Sequence, residues 1–349
     1  NQTEVLIMND TLGIILYFVI GLSWTVYVVQ EMFITGSSAL NLSVAKDDGE
    51  RKQIQVASGL HFDGIEVWLV GSIALLFASF PLAFAEIFTH LYIPFFLLVY
   101  ALIGRGLSIE FIYKMESKRW IRSMSIIWAV SSIAIMLILG IYLTNIFYGF
   151  PIGADGMEKG FGSIFNVTGI SGGLLFVLTS LVAGAAWIKL STSGELGDKA
   201  MAFVKKIGII YTIPIMLLLV FMGFNNTEAS IFIGELFTAS PALFALPALT
   251  VIFAIHTTYY GYRGKAASTF RFALMTLAFF LITGFVGMYP YMLPSYIDTQ
   301  YGITLFDAMA LKNSLLVIVI AVGIFFPIII FYQSWKYVRF TKKVNYNDE

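Results

Sequence analysis

Nine long apolar stretches run through this 349-residue chain, and its Lys and Arg residues crowd into alternate gaps between them. Helices are the only open-chain structures that satisfy their own backbone groups in hydrocarbon, and about twenty apolar residues cross a bilayer. The stretches fall near Leu12–Met32, Glu66–Phe88, Leu91–Tyr113, Ile121–Tyr148, Ile164–Leu190, Ile207–Phe224, Ile231–Tyr259, Phe270–Tyr289 and Leu315–Trp335. With 58% hydrophobic residues, 12% charged residues and a mean hydropathy of +0.84, the chain carries more apolar surface than a water-soluble core could bury. The sequence therefore predicts an all-α polytopic membrane protein of about nine transmembrane helices, with the lipid bilayer as its solvent.

Basic residues orient the spans. One set of gaps holds Lys46, Arg51 and Lys52, then Lys114, Lys118, Arg119 and Arg122, then Lys189, Lys199, Lys205 and Lys206. The same set continues with Arg263, Lys265 and Arg271, and ends with Lys336, Arg339, Lys342 and Lys343. Of the 21 Lys and Arg residues, only Lys159, Lys312 and Arg105 fall elsewhere. Positive charge stays on the cytoplasmic side, so the amino terminus is expected outside and the carboxyl terminus in the cytoplasm. The first span has an acidic flank, Glu4 and Asp10, instead of a positive leader, so it is expected to remain in the mature chain. The connecting segments, about Gly36 to Ile65 and Tyr289 to Asn313 at the longest, read as loops too short for a soluble domain.

Other chemistry is bounded quickly. The chain has no cysteine, which excludes disulfides and thiolate ligation. Its formal charge is zero and its cations are used in orienting the helices, so no nucleic-acid partner is expected. His61, His90 and His256 are its histidines, and no pair of them is spaced to clamp a haem between helices. The thirteen methionines read as packing residues.

Ionisable groups at membrane depth remain. Arg105 lies inside the third span and needs a partner. Glu110 is five residues on, off the ideal helical spacing, so another helix is a second source. Glu31 lies near the inner end of the first span, and Asp63 and Glu66 share a helical face at the cytoplasmic start of the second. Glu86, Glu235 and Asp307 fall near the outer interface, where a carboxylate meets water. His256 reads as a hydrogen-bonded core imidazole in preference to a metal ligand.

Local motifs then carry a resemblance. Phe62-Asp63-Gly64-Ile65-Glu66-Val67-Trp68-Leu69, followed by Phe77-Ala78-Ser79-Phe80-Pro81-Leu82, resembles the second-helix signature of subunit II of cytochrome bd-type quinol oxidases. Gly184-Ala185-Ala186-Trp187 with Thr192-Ser193-Gly194-Glu195-Leu196 resembles that subunit's fifth helix and following loop. Tyr289 through Ser295, Leu305-Phe306-Asp307-Ala308, and Pro327 through Trp335 with Tyr337 extend the similarity over about residues 12–340.

The resemblance implies two four-helix bundles, about residues 12–148 and 164–289, plus a peripheral helix at about 315–335, in one integral-membrane domain. It implies a quinol:O2 oxidoreductase in which haem b and haem d belong to a partner, subunit I, of similar fold, forming a pseudo-symmetric heterodimer. This chain would support that partner, bind no haem itself and contribute to a cytoplasmic proton path. A small single-helix accessory subunit and a structural quinone occur in some members. By position, Asp63 and Glu66 match the family's acidic pair, with Asp63 at proton uptake, and Glu31 matches the first of two first-helix aspartates, on a proton path with Asp63 and Glu66. Arg105 and Glu110 match an Arg and an acid expected to form a structural ion pair. Where the family carries a second first-helix aspartate this chain has Ile34, and Phe62 and Ile65 stand for its tryptophan and asparagine. The implied location is a bacterial or archaeal cytoplasmic (inner) membrane. The residues alone leave a second reading, a proton-coupled secondary transporter, for which Gly169-Ile170-Ser171-Gly172-Gly173 is a candidate helix break.

Overall fold

A computed structural model describes residues 2–157, 160–208, 212–217, 219–220 and 235–340, with backbone alone at residues 2–7, 60–63 and 337–340 and at a few positions flanking the gaps. The long helices are α1 (Gln2–Ala39), α3 (Asp48–Ser79), α5 (Tyr92–Phe111), α6 (Lys118–Tyr148) and α7 (Val167–Ser191), then α10 (Ala245–Tyr262), α11 (Ala266–Met288) and α13 (Lys312–Phe340). Shorter helices join them: α2 (Asn41–Val44), α4 (Pro81–His90), α8 (Leu196–Phe203), α9 (Glu235–Ala239) and α12 (Leu305–Ala308). Two small antiparallel ribbons, β1 (Ile152–Gly153) with β2 (Gly156–Met157) and β3 (Tyr291–Leu293) with β4 (Ile303–Thr304), cover one end. Among the described residues seven helical segments are long and apolar enough to cross a membrane, and α3 makes an eighth if its two bent halves count as one span. The chain is an all-α polytopic membrane protein. The expected sixth span, Ile207–Phe224, lies largely outside the described residues.

Helices outrun the apolar stretches that announced them. The expected loop of residues 36–65 is mostly helix: α1 continues to Ala39 and α3 begins at Asp48. Hydropathy marks only the part of a helix that meets hydrocarbon, and Glu50, Arg51, Lys52, Gln53 and Gln55 are good helix formers that extend it into water. Asp47 starts α3 by accepting the Glu50 amide, 2.8 Å away, on its side chain. Near the end of α1, Thr35 and Ser37 donate their hydroxyls to the Glu31 and Ile34 carbonyls, so these two polar side chains add no unpaired donor.

The second expected span, Glu66–Phe88, is two helices. α3 ends at Ser79, Phe80 leaves helical geometry, and Pro81 opens α4 as its first residue. Proline fits there because its missing N–H would have no partner in a first turn. Likewise the described part of the seventh, Ile231–Tyr259, is divided: the short α9 is followed by a 3-10 turn opened by Pro241, and α10 runs from Ala245.

α1 is the hub, packed against α3, α6, α7 and α11. With lipid as solvent, helices gain from close van der Waals approach, which small residues permit. Gly36 of α1 and Gly184 of α7 show the limit: a Cβ on Gly36 would lie 1.8 Å from the Ser180 carbonyl oxygen, and one on Gly184 2.1 Å from the Ser37 amide. α13 lies at the periphery, with only 6% of its most apolar window buried.

Candidate functional site: a buried charge cluster on three helices

α1, α3 and α5 each bring one charged side chain to a single point. Arg105 on α5 and Glu31 on α1 are wholly buried, and Glu66 on α3 keeps 27% of its side chain exposed. The Arg105 guanidinium donates through Nη1 to Glu31 Oε1 and through Nη2 to Glu66 Oε1, the latter at 2.8 Å. Two carboxylates therefore share one planar, permanently charged fork, which binds them from two directions. With both carboxylates ionised the trio carries one net negative charge, and with one of them protonated it is neutral, which limits the cost of holding charge in a medium of low dielectric.

Local sequence makes the meeting possible. Gly104 lets α5 approach α6, since a Cβ there would lie 2.6 Å from Ser131 Oγ. Ser108, one turn beyond Arg105, bonds the Gly104 carbonyl at 2.5 Å. On α1 the residues four and eight before Glu31 are Tyr27 and Ser23, on the same helical face. Both are buried, and Tyr27 Oη, Ser23 Oγ and Glu31 Oε2 have no hydrogen-bond partner among the described residues. Buried polar atoms of this kind are generally served by water or by exchangeable protons. Trp68, two residues after Glu66, leaves its buried indole Nε1 in the same condition. Sequence reading missed Tyr27 and Ser23, whose signal was the four-residue spacing back from Glu31.

The expected Arg105–Glu110 pair is corrected. Five residues is nearly half a turn off a shared face, and Glu110 is exposed and forms no ion pair among the described residues. Glu31 and Glu66 take its place, so the second source, another helix, is the one used. Asp63 lies in α3, in its bend, but its side chain falls outside the described part of the structure, as do those of His61 and Glu235.

Remaining candidates are held locally. Glu86 bonds His90, one turn on, at 3.1 Å near the far end of α4, both partly exposed. His256 places Nδ1 against the Ile252 carbonyl at 2.8 Å. Each of these histidines is thus engaged through one ring nitrogen by the residue four positions earlier on its own helix. Asp307 forms a capping box with Thr304 at the start of α12. Gly169–Gly173 is continuous helix within α7, where a Cβ on Gly172 or Gly173 would meet α6 within 3 Å, so this run serves helix packing.

At the end rich in basic residues, Lys199 of α8 pairs with Glu50 of α3, which also accepts the Lys46 amide at 2.7 Å. The hydrogen bond to Glu50 holds the Lys199 ammonium above its ordinary range. Lys189 and Asp198 pair at 2.6 Å, and Tyr113 donates to the Asp48 carbonyl at 3.0 Å. These contacts tie the start of α3 to α8 and to the segment after α5.

A helical membrane protein built round a buried cluster of paired charges is the class these features define. Residues 12–340 match the family of cytochrome bd terminal oxidase subunit II, and the chain belongs to that family. It is 24% identical to cytochrome bd-I ubiquinol oxidase subunit 2 of Escherichia coli K12 over 97% of both chains. It is 28% identical to cytochrome bd ubiquinol oxidase subunit 2 of Bacillus subtilis, over 86% of this chain and 87% of the other. In fold it is similar to a chain of the bd oxidase of Geobacillus thermodenitrificans, with a TM-score of 0.71 and 19% identity, covering 95% of this chain and 100% of that one. This membership does not favour the transporter reading.

Proposed function

We propose that this chain works as subunit II of a bd-type quinol oxidase by carrying protons from the cytoplasmic side toward the oxygen-reducing centre of subunit I. The observation that carries this reading is the graded exposure of the Glu66–Arg105–Glu31 cluster. Glu66 reaches the surface of the chain, Glu31 is sealed inside, and Arg105 joins them. Such a cluster can accept a proton at its open end and pass it inward at modest cost, with apparent titration belonging to the group and not to one residue. Asp63, one turn before Glu66 in the bend of α3, stands as the uptake residue.

Around that site the reading has nine spans, the amino terminus outside, two four-helix bundles and a peripheral helix. The basic gaps and the almost bare α13 support it. Subunit I, as a pseudo-symmetric partner, holds haem b and haem d, which supply electron transfer and oxygen reduction. Quinol is the electron donor, and proton uptake from one side makes turnover electrogenic. In this reading the chain itself ligates no haem. A single-helix accessory subunit is compatible with the exposed apolar flank of α13. The complex sits in the cytoplasmic (inner) membrane of a bacterium, the source of every named relative.

The test is Asp63→Asn and Glu66→Gln in the whole complex, with quinol-driven oxygen consumption measured against haem content. Turnover is expected to fall by about tenfold or more with haem retained, within the range ascribed to single proton-transfer groups. Full turnover in both variants would sink the reading. Loss of haem in parallel would make the two residues structural.

A further inference from the structure

The final helix touches the core at a place its exposure would not suggest. α13 is nearly bare, yet Gln333 near its carboxyl end is 6% exposed and donates from Nε2 to the Gly64 carbonyl at 2.6 Å. Gly64 lies in the bend of α3, where the halves Asp48–Gly59 and Gly64–Ser79 meet at 43°. A Cβ on Gly64 would stand 3.0 Å from Lys336 Nζ and 3.1 Å from both amide atoms of Gln333. The bare Gly64 backbone thus lets two polar side chain ends of another helix lie directly against α3. Trp68 and Phe326, in edge-to-face contact with ring centroids 5.2 Å apart, lock the same two helices farther along.

Lys336 forms no ion pair among the described residues. Its Nζ lies against Gly64, two residues before Glu66, so its charge is set beside that stretch of α3. Among the described side chains, the charged and titratable groups facing that stretch are Glu31 and Tyr27 from α1, Arg105 from α5 and Lys336 from α13. Trp187 of α7, which donates to the Ala57 carbonyl at 3.2 Å, adds no charge.

We propose that Gln333 and Lys336 are positioning residues for the proton inlet, Gln333 holding the bend at Gly64 and Lys336 setting the field on the acidic stretch of α3. This rests on the reading that this stretch takes up protons, and it assigns the peripheral helix a part in turnover. A nearby cation favours the charged form of a carboxylate, so removing it lets the carboxylate keep its proton to higher pH.

The experiment compares Lys336→Gln, Lys336→Arg and Gln333→Leu in the whole oxidase complex, reading oxygen consumption from pH 5.5 to 9 with haem content as the control for assembly. Lys336→Gln should move the alkaline limb of the rate profile upward by about half a pH unit or more, a size set by Coulomb interaction at partly screened range. Lys336→Arg should restore the limb to its place. Gln333→Leu should lower turnover about threefold or more without moving the limb, as expected for a geometric change near a reacting group. A profile that stays fixed in Lys336→Gln while Asp63→Asn slows the enzyme overturns this inference and leaves the inlet standing. A fixed profile with a fully active Asp63→Asn overturns both. If Lys336→Gln and Lys336→Arg lose haem alike, the lysine is structural and the inference fails.

Discussion

Replacing Arg105 by Met tests the charge cluster most directly, because its three members differ so much in burial. The change removes the only cation seen joining Glu31, sealed at 0% exposure, to Glu66, whose side chain is 27% exposed. Stripping one partner from a buried ion pair costs about 3–5 kcal/mol, because an uncompensated charge is left in a low-dielectric interior. Nearly all of that cost belongs to Glu31, since Glu66 can turn toward the surface. The double variants should therefore be unequal. Arg105→Met with Glu31→Gln should recover most of the lost stability, and Arg105→Met with Glu66→Gln should recover little. Detergent-extracted complex, followed by thermal unfolding with haem absorbance and intrinsic fluorescence, reads the difference. At about 2–4 °C per kcal/mol for larger domains, the single variant should unfold on the order of 10 °C early. Equal rescue by the two glutamines, or an Arg105→Met protein as stable as the parent, would refute the assignment of Glu31 as the buried counter-charge.

Other expectations follow from the packing and the caps. Gly36→Ala should separate α1 from α7, costing about 1–3 kcal/mol or more through overpacking, whereas Gly71→Ala, with nothing within 4 Å of its Cβ, should be neutral in the same melting assay. Thr304→Ala loses the capping box of α12 and should cost about 1 kcal/mol in thermal stability. Tyr27→Phe removes a buried hydroxyl that has no partner among the described residues, so it should leave the melting temperature almost unchanged while slowing oxygen uptake if that hydroxyl passes protons from Glu31. Lys199 is held above its ordinary range by Glu50, so the tie between α8 and α3 is complete below the lysine's usual titration and fades as pH rises past it. Glu50→Gln should abolish that alkaline loss, measured as the difference in melting temperature between neutral and strongly alkaline buffer.

Much of the molecule could be read from its residues. The alternation of apolar runs with cations marked the spans, because burying a backbone in lipid demands helices of one minimal length and moving cations across a membrane is costly. The Asp63–Leu69 and Phe77–Leu82 motifs carried the family, and Glu31, Glu66 and Arg105 stood out as charges at membrane depth. What composition and spacing could not supply was where helices stop. Pro81 divides the second span, while the polar ends of α1 and α3 extend far past hydrocarbon, since a helix is limited by its caps and not by its solvent.

The partnership of Arg105 was decided in three dimensions. Along α5 its nearest acid is Glu110, yet the helix turns that residue to the outside. The approach of α1 and α3 delivers Glu31 and Glu66 from 74 and 39 residues away. Tyr27 became visible in the site only once Glu31 was placed, and Gln333 and Lys336 only once α13 was seen to cross α3 at Gly64. Sequence alone determined which groups could not face lipid, because the cost of a bare charge in hydrocarbon is a property of the residue. Tertiary structure decided which groups answer them, because a Coulomb partner is chosen by distance in space, and helices from remote parts of the chain supply it.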